Sequence, residues 1–195
     1  MDKLDIVAGA VRSALAIHGF MEKGELAALG ELALGRHAVA EIGCWKGLST
    51  KVLSACVDGT VYAVDHWQGT PGERGSFHKE AVKLGPKGLL EVFRRNLSSE
   101  ITAGRVVPVM AESGAAVDIV RAALEGRPLD MVFIDADHTY EAVKRDIQLW
   151  SPLIAPGGLI SGHDYGEEWP GVKRAVDELL PKVKVAHRRV WYAAL

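Results

Sequence analysis

Five times in succession a short, continuously apolar run gives way to a stretch of helical spacing: HAVAEI to LSTKVLSAC, TVYAVD to FHKEAV and LLEVFRRNL, RVVPVM to AAVDIVRAAL, LDMVFID to YEAVKRDIQLW, and GGLISGHD to VKRAVDELL. Few folds accommodate that order. Strands that alternate with helices pair in parallel through right-handed crossovers, which puts helices on both faces of one sheet. The runs are apolar throughout rather than at every second residue, as burial on both faces requires. The tail KVKVAHRRVWYAAL breaks the rhythm with two β-prone runs and no helix between them, so an antiparallel hairpin is expected at the sheet edge. The expected fold is α/β: a doubly wound, mostly parallel, seven-stranded sheet with an antiparallel C-terminal edge hairpin, five strands from the repeats and two from the tail. Ahead of it, Leu4, Val7, Ala8, Val11 and Leu15 stand at helical spacing, and Gly19 and Gly24 separate a second helix that ends at Gly35. Residues 1–35 are thus expected as an N-terminal helical cap on a core spanning 36–195, within a single domain whose 195 residues bury a sizeable core without staples. Residues 66–88, rich in glycine and charge, read as a long irregular excursion after the second strand.

The net charge of −2 gives no electrostatic reason to expect a nucleic-acid partner. Cys44 and Cys56 are too few for a disulfide framework and read as reduced thiols. No segment reaches the roughly 18 apolar residues of a membrane span. The N-terminal stretch, interrupted by Asp5, Arg12 and His18, does not read as a signal peptide. A cytoplasmic protein without nucleic-acid or membrane partners is expected.

In open α/β sheets, ligands bind outside the carboxyl ends of the strands. Acids stand at five such ends: Glu41, Asp65, Glu112, Asp135 and Asp164. In EIGCWKGLS, Gly43 and Gly47 lie four apart, which is not the G-x-G-x-x-G spacing of a dinucleotide site. Glu41 would also repel a diphosphate while suiting a cationic amino acid. A ligand carrying an ammonium, a sulfonium and an adenosine fits this strand end better. Asp65, closing TVYAVD, stands where a carboxylate can accept both hydroxyls of a ribose.

These residues carry a family resemblance. E-x-G-x-x-x-G-x-S at the first strand, an acid closing the second, and LDMVFIDADHTY followed by LIAPGGLISGHDY resemble class I S-adenosylmethionine-dependent methyltransferases. The nearest branch contains the catechol- and caffeoyl-CoA-type enzymes and the macrolide-sugar and cephalosporin-pathway O-methyltransferases. The resemblance covers about residues 36–165 and implies a Rossmann-like fold. It implies that Glu41, Gly43, Gly47 and Ser49, with Trp45 alongside, form the methionine side of the donor site. By the same resemblance Asp65, His66 and Trp67 hold the ribose, Ala111, Glu112 and Ser113 cradle the adenine, and Asp135 and Asp137 lie beside the transferring methyl. In metal-dependent relatives the first acid of the D-A-D motif and an acidic pair after the next strand bind a divalent cation. Here the corresponding residues are Asp135, His163 and Asp164. Mg²⁺ prefers oxygen ligands, so His163 leaves room for a softer divalent cation or for none. His138 stands where the catechol-type enzymes carry a lysine base; it is the first candidate to take the acceptor's proton, and His163 the second.

The implied activity is transfer of a methyl group to a hydroxyl of a small molecule, possible in a homodimer, with S-adenosylhomocysteine as product. A catalytically silent relative that binds the cofactor as a sensor or partner remains open, and an NAD-dependent oxidoreductase is disfavoured by the glycine spacing.

Overall fold

The computed structural model describes residues 2–69 and 76–195. Helices α1 (Lys3–Ala14) and α2 (Lys23–Ala33) lead into β1 (Ala38–Ile42), α3 (Leu48–Cys56), β2 (Thr60–Asp65), α4 (Ser76–Asn96), α5 (Ser98–Thr102) and β3 (Val106–Met110). There follow α6 (Ser113–Ala123), β4 (Leu129–Ile134), α7 (Tyr140–Trp150), a 3-10 turn (Ser151–Leu153), β5 (Ile154–Gly162), α8 (Pro170–Leu179), β6 (Lys184–His187) and β7 (Val190–Ala194). The seven strands form one sheet in the order β3-β2-β1-β4-β5-β7-β6. β1 pairs in parallel with both β2 and β4, and only β7 and β6 run antiparallel. The chain therefore winds outward from β1 to β3 and returns to the other side of β1 with β4. That reversal opens a crevice between the carboxyl ends of β1 and β4.

Successive strand residues point to opposite faces, and both faces are covered. Val39, Val61, Met131 and Phe133 pack with Leu26, Leu29, Val52 and Phe93 of α2, α3 and α4. Ala40, Ile42, Val132 and Ile160 pack with Val117, Val120, Ile147 and Val176 of α6, α7 and α8. This double burial explains why the strands read as continuously apolar. Trp150 and Trp191 are fully buried, as core and edge-strand packing require.

Residues 76–88 are helical rather than irregular, which corrects the expectation for 66–88; residues 70–75 of that excursion lie outside the described residues. The helix α4 breaks at Gly85, whose φ of +67° and ψ of 169° are not helical, and Pro86 restarts it. Proline suits a first helical position because its missing N–H would be unpaired there anyway. Among the described residues no helix is long and apolar enough to cross a membrane.

Candidate active site

The loop after β1 is shaped by backbone approach. Gly43 has φ +92°, and a Cβ there would lie 2.1 Å from the carbonyl oxygen of Asp135. Only a residue without a side chain lets the ends of β1 and β4 meet this closely. Gly47, at φ +91°, serves a different contact: a Cβ there would strike Leu97 and Phe93, so this glycine seats the end of α4 against the loop.

Asp65 at the end of β2 holds that loop in place. One carboxylate oxygen accepts from the backbone N–H groups of Cys44 (3.0 Å) and Trp45 (2.8 Å), and the other accepts from that of Trp67 (2.6 Å). Trp45 and Trp67 both adopt left-handed backbone angles, φ +43° and +54°. Such angles are uncommon for bulky residues and persist where surrounding bonds enforce them. Here the enforcing bonds are those of Asp65, together with the Trp67 indole N–H donating to the Trp45 carbonyl at 2.7 Å. Burial pushes the Asp65 carboxyl up, opposed by the three amide donors.

A cleft of about 490 Å³ opens at the carboxyl ends of β1 to β4. That volume lies within the range of small-molecule and cofactor sites. Gly43 and Trp45 line it after β1, and Asp65, His66 and Trp67 after β2. Ala111, Glu112 and Ser113 line it after β3, and Asp135 and Asp137 after β4. Glu41, Gly47 and Ser49 do not line it. Glu41 is fully buried, with one oxygen accepting from the Thr50 hydroxyl and the other without a hydrogen-bond partner. Burial pushes its carboxyl up to about 7.

Beyond Asp135 lies a second constellation. His138 Nε2 is 2.9 Å from Asp164 and 3.8 Å from Asp135, and its ring packs against Trp169 with centroids 4.2 Å apart. Gly171 permits that packing, since a Cβ there would lie 2.5 Å from the His138 carbonyl oxygen. Asp164 sits in a left-handed conformation, φ +58°, at the end of β5. His163 Nδ1 lies 3.3 Å from Asp164, and its Nε2 lies 3.3 Å from Glu25 of α2. Arg189 completes the group, 3.1 Å from Glu25 and 3.3 Å from Asp164. Burial alone would lower both imidazoles, but the facing carboxylates raise His138 to about 10 and His163 to about 9. Burial would raise Asp164, yet the two imidazoles hold it well below its ordinary value. At neutral pH His138 is therefore a cation.

Ligating atoms of Asp135, His138 and Asp164 lie within 4.8 Å of one another. The compact trio contains His138; His163, expected there from the sequence, turns its Nε2 toward Glu25 but its Nδ1 toward Asp164 (3.3 Å) and Asp135 (3.9 Å). Mg²⁺ asks for near-octahedral oxygen ligands. This donor set includes an imidazole, and a guanidinium already stands on Asp164, so the residues do not fit Mg²⁺.

Sequence reasoning missed Glu25, Arg189 and Asp146. Glu25 carried a signal, since it is a charged residue beside Leu26 and four before Leu29 on the apolar side of α2. Asp146 is 2% exposed, lines the cleft from α7, and likewise stands beside Ile147 on the buried side of its helix. Arg189 carried none, being one more cation in a hairpin turn.

A family model described as a methyltransferase domain matches residues 40–165. Three solved structures share the fold. CalS11, a calicheamicin methyltransferase, superposes with a TM-score of 0.65 at 15% identity, covering 97% of this chain and 91% of that one. Rv0187 from MTB, determined with its cofactor bound, gives 0.62 at 22% identity, covering 98% and 89%. An O-methyltransferase from Bacillus cereus in complex with SAH gives 0.62 at 18% identity, covering 100% and 90%.

Proposed function

Because this chain belongs to the methyltransferase-domain family, we propose that it transfers the methyl group of S-adenosylmethionine to a hydroxyl of a small molecule. The observation that carries the donor assignment is the buried, unpartnered oxygen of Glu41 beneath the glycine loop. A buried acceptor without a donor is costly, and an ammonium reaching over Gly43 is the kind of group that relieves it. The oxygen acceptor rests on the O-methyltransferases that share the fold. In this reading the chain works as one domain, with residues 1–35 as its cap and 36–195 as its catalytic core.

The bound donor supplies a methyl group on a positively charged sulfur, which leaves as a neutral thioether. The protein's part is to orient, to exclude water and to move one proton. Asp65 fixes the loop that holds the ribose; Oδ2 already accepts two amides, and Oδ1, which accepts one, retains a lone pair for a sugar hydroxyl. Trp45 and Trp67 form apolar wall at that end of the cleft. Asp135, on the cleft wall, takes the proton of the acceptor hydroxyl. His138, already protonated, cannot accept that proton; it donates a hydrogen bond and stabilises the negative charge that grows on the acceptor oxygen. The donor set does not suit Mg²⁺; Asp135, His138 and Asp164 would instead hold a softer divalent cation, which would supply positive charge beside the acceptor oxygen, and no step of this account is routed through it.

The test is calorimetric titration with S-adenosylhomocysteine, followed by methyl-transfer assays against a panel of hydroxylated sugars and phenols, with and without chelator. Micromolar binding, worth about 8 kcal/mol, is expected. Asp135→Asn and His138→Gln should each keep that affinity and lose turnover. Absence of binding would overturn the donor assignment, unchanged turnover in both variants would overturn the roles of Asp135 and His138, and loss of activity on chelation would restore a metal.

A further inference from the structure

The end of the cleft farthest from Asp164 is closed by the first turn of α6 and the middle of α7. Asp146 of α7 lines it while only 2% exposed. One of its oxygens accepts from the Ser113 hydroxyl at 2.6 Å, and that hydroxyl accepts from the Trp150 indole N–H at 2.9 Å. The chain of bonds has a fixed direction. An indole nitrogen can only donate, so the single hydroxyl proton of Ser113 is committed to Asp146. The other Asp146 oxygen has no hydrogen-bond donor among the described residues. Burial pushes the carboxyl up to about 6, opposed by the Ser113 hydrogen bond and by the charge of Arg145. A buried carboxylate with an open oxygen at a cleft wall calls for a ligand that brings an N–H.

The position of this end says which part of the ligand arrives there. A nucleoside whose ribose meets Asp65 at the end of β2 extends its base toward Ala111 and Ser113 at the end of β3, across the apolar floor of Ile42 and Val64. The base edge nearest α7 then meets Asp146. An exocyclic amine presents two N–H groups to it, whereas a ring carbonyl in the same place would set oxygen against oxygen.

We propose that Asp146 is the residue that makes the donor site specific for a 6-aminopurine, by accepting a hydrogen bond from the exocyclic amine of the adenine. This rests on the reading of the cleft as the S-adenosylmethionine site. Ser113 and Trp150 act through Asp146, holding one of its oxygens so that the other faces the cleft.

The experiment is calorimetric titration of the wild-type protein and of Asp146→Asn with S-adenosylhomocysteine and with its 6-oxo (inosyl) and 6-unsubstituted purine analogues. Wild-type protein should bind the unsubstituted analogue about 10- to 100-fold more weakly, the loss of a hydrogen bond to a charged group. The 6-oxo analogue should bind more weakly still, because it also opposes the carboxylate. In Asp146→Asn the gap between the 6-amino and 6-oxo compounds should close to within about threefold, because an amide can turn to donate as well as accept. Equal wild-type affinity for all three compounds would overturn the proposal, as would an Asp146→Asn variant that weakens all three by the same factor. The wild-type comparison decides alone if the variant fails to fold. Binding of none of the compounds by the wild type would overturn the donor-site reading and this proposal together, an outcome distinct from binding without discrimination.

Discussion

Glu25 is fully buried in α2, and one of its oxygens faces both His163 (3.3 Å) and Arg189 (3.1 Å). Glu25→Gln keeps the shape and removes the charge, leaving the buried His163 and the partly exposed Arg189 facing a neutral amide. Breaking a buried pair from one side costs about 3–5 kcal/mol. The lower figure applies here, because the amide can still accept from the Glu22 N–H that Glu25 engages at 2.9 Å. For a protein of this size about 3 kcal/mol corresponds to a fall in Tm of about 6–12 °C. The pH dependence carries the sharper test. His163 is raised from 6.5 to about 9, so its share of the stability is complete below 6.5 and is lost as pH rises through 9. Glu25 is held below its ordinary 4.5: burial would raise it, but the Glu22 N–H, His163 and Arg189 outweigh that, so its share is present above 4.5 and lost in acid. The gap between wild type and Glu25→Gln should therefore be widest from about pH 5 to 6.5 and should narrow toward about pH 9, leaving the part due to Arg189. Thermal denaturation of both proteins across that range, at constant ionic strength, measures it. A gap that is constant, or that widens above pH 6.5, would refute the coupling between Glu25 and His163.

Gly43→Ala should place a methyl group against the Asp135 carbonyl and force a left-handed conformation worth about 1–2 kcal/mol; S-adenosylhomocysteine affinity should collapse, and wild-type affinity would show that the β1 and β4 ends can part freely. Asp65→Asn replaces the acceptor of three amides and should release the strained backbone of Trp45 and Trp67, visible as a red shift of tryptophan fluorescence and a loss of about 1.5–3 kcal/mol of stability. An unchanged emission spectrum would count against that role. With His138 held at about 10, the methyl-transfer rate of the wild type should not climb with pH between about 7 and 9. A tenfold rise per pH unit there would return the role of base to His138.

The sheet could be read from the sequence because both its faces are buried: double burial writes a continuous apolar run, and LDMVFID and TVYAVD became β4 and β2 within a residue of their ends. The edge hairpin is legible for a different reason, two β-prone runs with no helix between them: its first strand, β6, is exposed throughout, and its second, β7, lies against β5. The stretch 76–88 reads as irregular because glycine and charge mark both a coil and an exposed helix, and Gly85 breaks α4 without ending it. In the site, residues at strand ends were legible because the fold class fixes where strand ends converge. Gly47 reads as part of the donor loop, and its missing side chain also makes room for Phe93 and Leu97, a contact that no local pattern contains. Glu25 and Arg189 reach Asp164 from the cap and from the terminal hairpin, so their meeting follows only from tertiary packing.

The acids of this site differ in charge state because their neighbours differ, and that difference makes the donor assignment measurable. Asp164 faces His138, His163 and Arg189 and is held ionised. Burial raises Glu41 to about 7, so about half of the free protein carries its proton at neutrality. An ammonium arriving beside its open oxygen favours the carboxylate and expels that proton. Binding of S-adenosylhomocysteine at about pH 7 should therefore release about half a proton, more at lower pH and almost none at about pH 9. Titrations in buffers of different ionisation enthalpy read this number directly, and Glu41→Gln should abolish it while weakening binding. Proton uptake, or a release that Glu41→Gln leaves unchanged, would place the ammonium elsewhere and leave Glu41 with internal partners such as Thr50.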